Sequence, residues 1–524
     1  MKTYKKLILV FIAIFSFYGC QDVNELVKNP NLPTSAPPNL ILTKVLSQME
    51  NENAWDGVFG SMVGNQFWIS TYTYYGTNNY DQAPFINSNN GFYFLPLENV
   101  IQMEKQALSS GGGEVNPYSA LGKFLRANYY NVMSQKFGDL PLTQALQGLS
   151  VPQPTYDTQK DIYIQILKWL DSANSDLASL ISKGDISLSG DIFYNNDLKK
   201  WQKAVNSLTL RVLVSLSKKE ADADLNIKAK FAAIIGNPSK YPVFADLTDN
   251  LQYVYNAQFN IYPKNPGNIG QVITRENIGS TFLELTTSLK DPRTFAVATP
   301  APSKLKAGLL YSDFNAYAGG NPGASMGDLG TSAQGGNLSY VNPLRYYKTF
   351  DGSSCEPAII IGYPELCFNI AEGINRGWAP GNVATWYNNG ITASMNHLGL
   401  KEGGNISVGS LDNIELGKVS VSISAYLAQP SVAYQSGSAG LTQILQQKYI
   451  AFWQNSNWEA FFNQRRTGIP TFKVGPGTGN NNVIPSRWKY PQGEPSANAV
   501  NNKAAVARQF NGVDDANGKL WIVQ

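Results

Sequence analysis

The 524-residue chain has few of the side chains that usually catalyse reactions or bind metals. It contains a single histidine, His397, and three cysteines, Cys20, Cys355 and Cys367, with no Cys-x-x-Cys spacing. Structural zinc sites use closely spaced cysteine and histidine ligands, so the sequence predicts neither a bound metal nor a cofactor. Two alternatives stay open for Cys367: a disulfide with Cys355 in an oxidising compartment, or a buried thiol in an apolar run.

Charge is also scarce, because Asp, Glu, Lys and Arg make up only 15% of the residues. Three of the 41 basic residues lie within positions 1–19, which leaves 38 to balance the 38 acidic residues. Electrostatic binding of nucleic acid needs an excess of positive charge. The sequence therefore predicts no nucleic-acid partner.

Long hydrophobic runs are missing as well. No stretch reaches the 18 consecutive apolar residues of a membrane-spanning helix. The longest early run, residues 7–17, follows Lys2, Lys5 and Lys6 and is typical of a secretory signal peptide.

The end of this leader predicts how the protein is anchored. Gly19 precedes Cys20, as in bacterial lipoprotein signals, in which the cysteine receives a lipid and the chain is cut just before it. We therefore expect residues 1–19 to be removed and Cys20 to be lipidated; the alternative is an ordinary signal peptide with Cys20 incidental. Residues 20–38, rich in Asn and Pro, are expected to form a flexible tether to the membrane.

Apolar residues recur with helical spacing through much of the chain. This pattern predicts a mostly α-helical fold built of tetratricopeptide-like helical hairpins, with long irregular loops and little β-structure. The helices are expected at 118–137, 158–181 (with Thr158 as its cap), 199–216, 357–376 and 441–464.

We expect residues 39–524 to form one domain after the tether. Its helical scaffold is placed mainly at 39–220 and 355–400, with a C-terminal helix and loops at 440–524. Ligand-binding loops are expected within 66–95 and 220–350, including the Gly-, Ser- and Asn-rich stretch 311–340.

Several sequence patterns resemble catalytic or ligand-binding motifs. The run at 323–327 matches Gly-x-Ser-x-Gly, but its flanks predict loop rather than the strand and helix of a nucleophile elbow. The glycine-rich run at 475–482 lacks the Lys-Ser/Thr of a phosphate-binding loop, and 514–518 lacks the spacing of a calcium-binding hand. We therefore predict that the protein is not an enzyme, with structural roles for His397 and for the adjacent pair Arg465 and Arg466.

Five longer phrases together resemble the SusD/RagB family of Bacteroidetes outer-membrane lipoproteins. In chain order they are FLRANYYNVMSQKFGDLPLTQAL (124–146), YPELCFNIAEGINRGW (363–378), WYNNGITASMNHLGL (386–400), QQKYIAFWQNSNWEAFFNQRRTGIP (446–470) and VIPSRWKYPQGEPSANAVN (483–501). Their order and spacing cover nearly the whole mature chain. The resemblance implies a helical scaffold that carries a ligand site on loops at one face.

It also implies a place in the cell. Members sit on the outer membrane, facing the exterior, as lids over a SusC-type TonB-dependent transporter, to which they deliver captured glycans. Some members bind peptides instead, and that alternative stays open here. A surface glycoside hydrolase is a further alternative, since two catalytic carboxylates need not be neighbours in sequence.

The segment FWISTYTYYGTNNYD (67–81) combines aromatic rings with small hydrogen-bonding side chains. A sugar has an apolar face that an aromatic ring can cover and a rim of hydroxyls that polar groups can satisfy. We expect Phe67 to pack in the scaffold. Candidate ligand-binding residues from this segment are Trp68, Tyr72, Tyr74, Tyr75, Asn78 and Tyr80.

A second set of candidates lies in the segment 311–340. It comprises Tyr311, Asn315 and Tyr317. The resemblance does not transfer individual ligand residues, so both sets rest on the chemistry of the side chains.

Overall fold

The computed structural model describes residues 36–50, 60–74, 76–81, 85–86, 92–258, 260–268, 276–348 and 356–524. The predicted signal peptide, Cys20 and most of the predicted tether lie outside the described residues, as do Tyr75 and Cys355.

The described chain is mostly α-helical, and the first half supplies seven helices. These are α1 (Pro38–Glu50), α2 (Ser61–Gly64), α3 (Phe94–Ser109), α4 (Pro117–Phe137), α5 (Gln159–Ser182), α6 (Leu198–Ser215) and α7 (Ile227–Gly236). The remaining helices are α8 (Ser280–Ser288), α9 (Arg293–Val297), α10 (Pro302–Lys306), α11 (Met326–Gln334), α12 (Pro343–Tyr346), α13 (Tyr363–Asn375), α14 (Val383–His397), α15 (Ile423–Leu427), α16 (Gly437–Ala451), α17 (Glu459–Thr467), α18 (Glu494–Ala497) and α19 (Ala499–Phe510).

Helices that follow one another along the chain pack against each other, as in tetratricopeptide-like hairpins. Helix α4 contacts α3 and α5, α5 contacts α6, and α13 contacts α14. Helix α13 also packs on α6 and α16, and so joins the two halves of the scaffold. No helix in the described part of the chain is long and apolar enough to cross a membrane.

Side-chain caps fix where the two long central helices begin. The Asn116 carboxamide accepts a hydrogen bond from the Ser119 N–H at 2.9 Å, and Pro117 occupies the first turn of α4. The Thr158 hydroxyl accepts from the Asp161 N–H at 3.2 Å and starts α5. The helices predicted at 118–137, 158–181 and 199–216, and the Thr158 cap, are thus confirmed to within one residue.

Two predicted helices are wrong in extent. The stretch predicted at 357–376 begins as strand β4 (Ala358–Ile361), because consecutive β-branched isoleucines favour extended backbone, and α13 starts only after Gly362. The stretch predicted at 441–464 is two helices, α16 and α17. The chain between them adopts left-handed conformations, with φ near 50–56° at Gln454, Ser456 and Asn457.

The segment 311–340 is also more regular than predicted. It contains a 3-10 turn at Phe314–Ala316 and the nine-residue helix α11. Ser325 caps α11 by accepting from the Asp328 N–H at 3.2 Å. The hydroxyl that a nucleophile elbow would present therefore serves as a helix cap, and a helix rather than a loop follows it.

Short antiparallel strand pairs complete the described fold. Strand β1 (Trp68–Ser70) pairs with β3 (Glu276–Ile278), β2 (Leu251–Tyr253) with β4, and β5 (Asn405–Gly409) with β6 (Glu415–Ser420). A large hydrophobic core runs from Leu42 in α1 to Ile522 near the C-terminus. Cys367 is a free, buried thiol in this core, which agrees with the second of its two alternatives.

A candidate ligand-binding surface at Tyr72 and Tyr74

The segment 67–81 leaves the core over a few residues. Phe67, Trp68 and Ile69 are at most 1% exposed, because β1 is covered on both faces and Trp68 pairs with Ile278 of β3. The chain then turns outward, and Tyr72 and Tyr74 are 54% and 80% exposed. Their ring centroids lie 6.5 Å apart at an interplanar angle of 44°.

Asn78 closes the base of the exposed loop. Its Oδ1 accepts from the Ser70 N–H and its Nδ2 donates to the Ser70 carbonyl, both at 2.8 Å. The Asn78 carboxamide thus makes the two backbone hydrogen bonds to Ser70 that a neighbouring β-strand would otherwise make. Asn78 is 2% exposed, so its role in this structure is to hold the loop.

Tyr80 anchors the far end of the same loop. Its hydroxyl donates to the Gly64 carbonyl at 2.9 Å, and its N–H donates to the Thr478 carbonyl at 2.8 Å. Complete burial raises the pKa of the Tyr80 hydroxyl, which stays a neutral donor. Tyr80 therefore belongs to the scaffold below the tyrosine loop.

The two predicted ligand segments are neighbours in space. Ile69 packs with Leu329 and Leu338 in a small cluster that joins β1 to α11 and to the residues after that helix. A Cβ added at Gly320 would lie 2.0 Å from Ile69 Cδ1, so only glycine permits this close approach. Helix α11 thus lies beside the base of the loop that carries Tyr72 and Tyr74.

Tyr311, Asn315 and Tyr317 contact other parts of the fold. The Tyr317 ring is 6% exposed and packs on Phe295 with centroids 5.5 Å apart, while its hydroxyl donates to the Tyr311 carbonyl at 2.7 Å. The half-buried Tyr311 ring lies against Gly417 of β6. Asn315 is exposed, and its backbone and side-chain N–H groups both donate to Asp313 Oδ1.

The residues predicted to bind a ligand therefore fall into two groups, those buried in the fold and those exposed at its surface. Trp68, Asn78, Tyr80 and Tyr317 are at most 6% exposed and present almost no surface to a ligand in this structure, so for them ligand contact is not supported. Tyr72 and Tyr74 are the predicted residues that stay on the surface as a close aromatic pair.

Sequence reasoning missed an aromatic cluster next to Trp68. The Lys264 ammonium lies 5.2 Å from the centre of the Trp68 ring and 5.9 Å from that of Tyr347, although Lys264 is only 5% exposed. In the same stretch of chain, Tyr255 packs edge-on to Tyr253 and Tyr262. The alternation of aromatic residues in YVYNAQFNIYPK (253–264) was the signal that could have predicted this cluster.

His397, Arg465 and Arg466, for which structural roles were predicted, all contact the scaffold. The His397 side chain is only 15% exposed, and this burial lowers its pKa to about 4, although Glu356 lies 3.9 Å away. Arg465 Nη1 donates to the carbonyls of Gln135 and Ser486 at 2.8 Å, and Arg466 pairs with Glu372. The structural roles predicted for the two arginines are thus confirmed, since both side chains bind groups of the scaffold.

Comparison with known protein families identifies the family of this chain. A family model for SusD-like proteins, described as starch-binding and associating with the outer membrane, matches residues 30–491. The chain belongs to the SusD-like family. A comparison with proteins of curated function finds no match.

Solved structures of other SusD-like proteins share this fold. A nutrient-binding outer-membrane protein candidate from Bacteroides vulgatus is 30% identical with a TM-score of 0.77, over 93% of this chain and all of that one. A SusD homologue from Bacteroides fragilis is 28% identical with a TM-score of 0.81, over the same shares. A chitin-binding SusD homologue from Flavobacterium johnsoniae, at 19% identity and a TM-score of 0.67 over 92% of this chain and 97% of that one, shows likeness of fold alone.

Proposed function

We propose that this SusD-like protein is a non-catalytic, cell-surface lipoprotein that binds a glycan and delivers it to a SusC-type TonB-dependent transporter. In this proposal Cys20 carries the lipid anchor in the outer membrane, and the loop with Tyr72 and Tyr74 faces the exterior. Tyr75 follows Tyr74 in the sequence, and we keep it as a candidate ligand contact.

The observation that carries the proposal is the exposed pair Tyr72 and Tyr74. Large aromatic side chains are normally buried, and two of them side by side on one loop form an apolar surface with hydroxyls at its edge. Such a surface matches the C–H face and hydroxyl rim of a sugar ring.

The anchoring of the loop supports binding of a ligand without large rearrangement. The loop base is held by Asn78 on Ser70 and by Tyr80 on Gly64. A preorganised surface loses less conformational entropy when a ligand binds. The balanced charge of the mature chain suits a neutral ligand rather than a charged one.

A binding screen tests the proposal. The soluble form that starts at Gln21 is titrated with starch, chitin oligosaccharides, other poly- and oligosaccharides and a set of peptides, by calorimetry and affinity electrophoresis. Starch and chitin are included because of the family description and the chitin-binding neighbour. We expect binding of one glycan class with no new product by chromatography.

Other outcomes lead to the alternatives. Binding of peptides alone would favour a peptide receptor, and product formation that is lost on replacing one Asp or Glu would show a hydrolase. The remaining parts of the proposal have separate tests. A Cys20→Ala protein should be released from the membrane after export, and the native protein should co-isolate with an outer-membrane transporter.

A further inference from the structure

A second concave site lies inside the helical scaffold, apart from Tyr72 and Tyr74. It is a cavity between α1, α4, α6, β4 and the chain that connects α16 to α17. The space it encloses, together with its open mouth, is about 510 Å³.

The cavity is lined by Glu459, one of whose carboxylate oxygens lacks a hydrogen-bond partner in the described structure. Glu459 is 3% exposed, and its Oε2 has no hydrogen-bond partner in the described structure. Its Oε1 lies 3.8 Å from Arg211 Nη1, beyond hydrogen-bond distance. A buried carboxylate oxygen without a partner is costly, so the site favours a ligand that brings a donor.

Hydrogen bonds to Glu365 and to the Ile360 carbonyl orient Arg211, and one of its guanidinium nitrogens, Nη1, is left to donate to a ligand. Its Nε donates to Glu365 Oε1 at 2.6 Å and its Nη2 to the Ile360 carbonyl at 2.7 Å. Among the described residues, Nη1 has only the long contact with Glu459. A guanidinium donor and a carboxylate acceptor thus border the same cavity within 4 Å of each other.

The walls are aromatic and aliphatic, with two asparagines among them. The apolar lining includes Tyr93, Tyr129, Trp458, Phe462 and Val132, and the asparagines are Asn128 and Asn457. Sites for small ligands commonly combine such apolar walls with a few fixed polar groups.

The cavity residues Arg211 and Glu459 belong to a buried network of three acids and three bases, whose charges balance. Arg211 pairs with Glu365 and Glu459, Glu372 pairs with Lys448 and Arg466, and Asn369 hydrogen-bonds to both Glu365 and Lys448. Burial raises the pKa of Glu459, and Arg211 opposes that rise. A ligand with a net charge would disturb this balance in a poorly solvated site, whereas neutral hydroxyls donate and accept without doing so.

We propose that this cavity is a second ligand site, which takes a single neutral sugar unit by its hydroxyl edge. The hydroxyls reach the Glu459 carboxylate and Arg211 Nη1, and the C–H face of the ring lies on the aromatic walls. The proposal goes beyond the proposed function, because the cavity and the exposed tyrosine pair share no residue and either can fail without the other.

The test uses the full mature chain from Gln21 and a panel of monosaccharides. Glucose, galactose, mannose and N-acetylglucosamine are the neutral probes, and glucosamine and glucuronate are their charged counterparts. Binding is followed by calorimetry and by tryptophan fluorescence, since Trp458 lines the cavity. Crystals soaked with the best probe then locate it.

The variant Val132→Phe fills the cavity without changing its charge, and Val500→Phe on the exposed surface of α19 is the matched control. We expect binding of at least one neutral monosaccharide, weakened about tenfold or more by Val132→Phe and unchanged by Val500→Phe. If Val132→Phe does not fold, Asn128→Leu removes one wall amide at similar volume and should weaken binding too.

Three results would overturn the proposal. The first is no binding of any neutral monosaccharide up to ~10 mM, with only water in the cavity of the soaked crystals. The second is tighter binding of glucosamine or glucuronate than of the neutral probes. The third is equal affinity in the Val132→Phe and Val500→Phe proteins.

Discussion

Arg466 and Glu372 form a two-pronged ion pair inside the helical scaffold. Arg466 Nη1 and Nη2 lie 2.5 and 2.9 Å from Glu372 Oε1 and Oε2, and the side chains are 3% and 0% exposed. The pair fastens α17 to α13, and Lys448 of α16 lies 4.0 Å from the same carboxylate. Helix α13 and the later helices α16 and α17 therefore share one buried charge network.

We expect Arg466→Met to lower the free energy of unfolding by about 3–5 kcal/mol, because it leaves the carboxylate of Glu372 buried without its main partner. Urea unfolding followed by circular dichroism measures the change. The control is Lys473→Met, which breaks a surface pair with Glu284 and should cost at most about 1 kcal/mol. Equal effects of the two variants would show that the buried pair adds no special stability.

The same carboxylate should make stability depend on pH. Burial alone would raise the pKa of Glu372, but Arg466, Lys448 and Arg376 outweigh burial and lower it to about 2 from 4.5. Because the folded pKa lies below the unfolded one, this contribution is fully present above pH 4.5 and is lost as the pH falls towards 2.

Unfolding of the wild type and of Glu372→Gln at several pH values tests this. The difference in their free energies of unfolding should shrink by roughly 3 kcal/mol from pH 5.5 to pH 2. The comparison cancels the contributions of other acids, such as Glu459 and Asp139, whose pKa values are raised by burial. A constant difference over this range would contradict the lowered pKa.

The exposed tyrosines should account for much of the glycan affinity. Tyr72→Ala and Tyr74→Ala are each expected to weaken binding about 5- to 30-fold, equivalent to about 1–2 kcal/mol of lost apolar contact. Tyr72→Phe keeps the ring and should retain most of the affinity. Leu149→Ala, which removes a side chain that is 98% exposed elsewhere, should change nothing. Full affinity in both alanine variants would exclude this loop as the ligand surface.

Gly64 should tolerate no side chain. It ends α2 just before β1, and an added Cβ would lie 2.2 Å from Cζ3 of the buried Trp458. Gly64→Ala is therefore expected to destabilise the protein by about 1–3 kcal/mol through displacement of that ring. The control Gly236→Ala has no atom within 4 Å of the new Cβ and should be neutral or slightly stabilising in thermal unfolding.

Local patterns predicted the scaffold well because helices depend mostly on nearby residues. The periodic apolar faces of α4, α5 and α6 and the Thr158 cap could be predicted from spacing alone. The same reasoning failed at β4, since its isoleucines pair with β2 across about a hundred residues of chain. The isoleucine run favours extended backbone locally, but so distant a strand partner cannot be predicted from the local pattern.

The candidate site was predictable as a segment but not residue by residue. The aromatic and polar composition of 67–81 singled out the loop, yet Trp68 and Tyr80 are buried while Tyr72 and Tyr74 are exposed. Lys264, which joins Trp68 to Tyr347, lies almost two hundred residues further along the chain. Nothing in the local pattern indicates that contact.

The sequence by itself determined the family, the helical scaffold and the shortage of catalytic side chains. These depend on residue types, their order and their spacing along the chain. Only the tertiary structure decided which rings reach the surface and which charges share the interior. An aromatic ring can pack in a core or cover a ligand surface, and its own sequence neighbours do not settle which. Tyr80 is held in the core by hydrogen bonds to Gly64 and Thr478, which lie elsewhere in the chain.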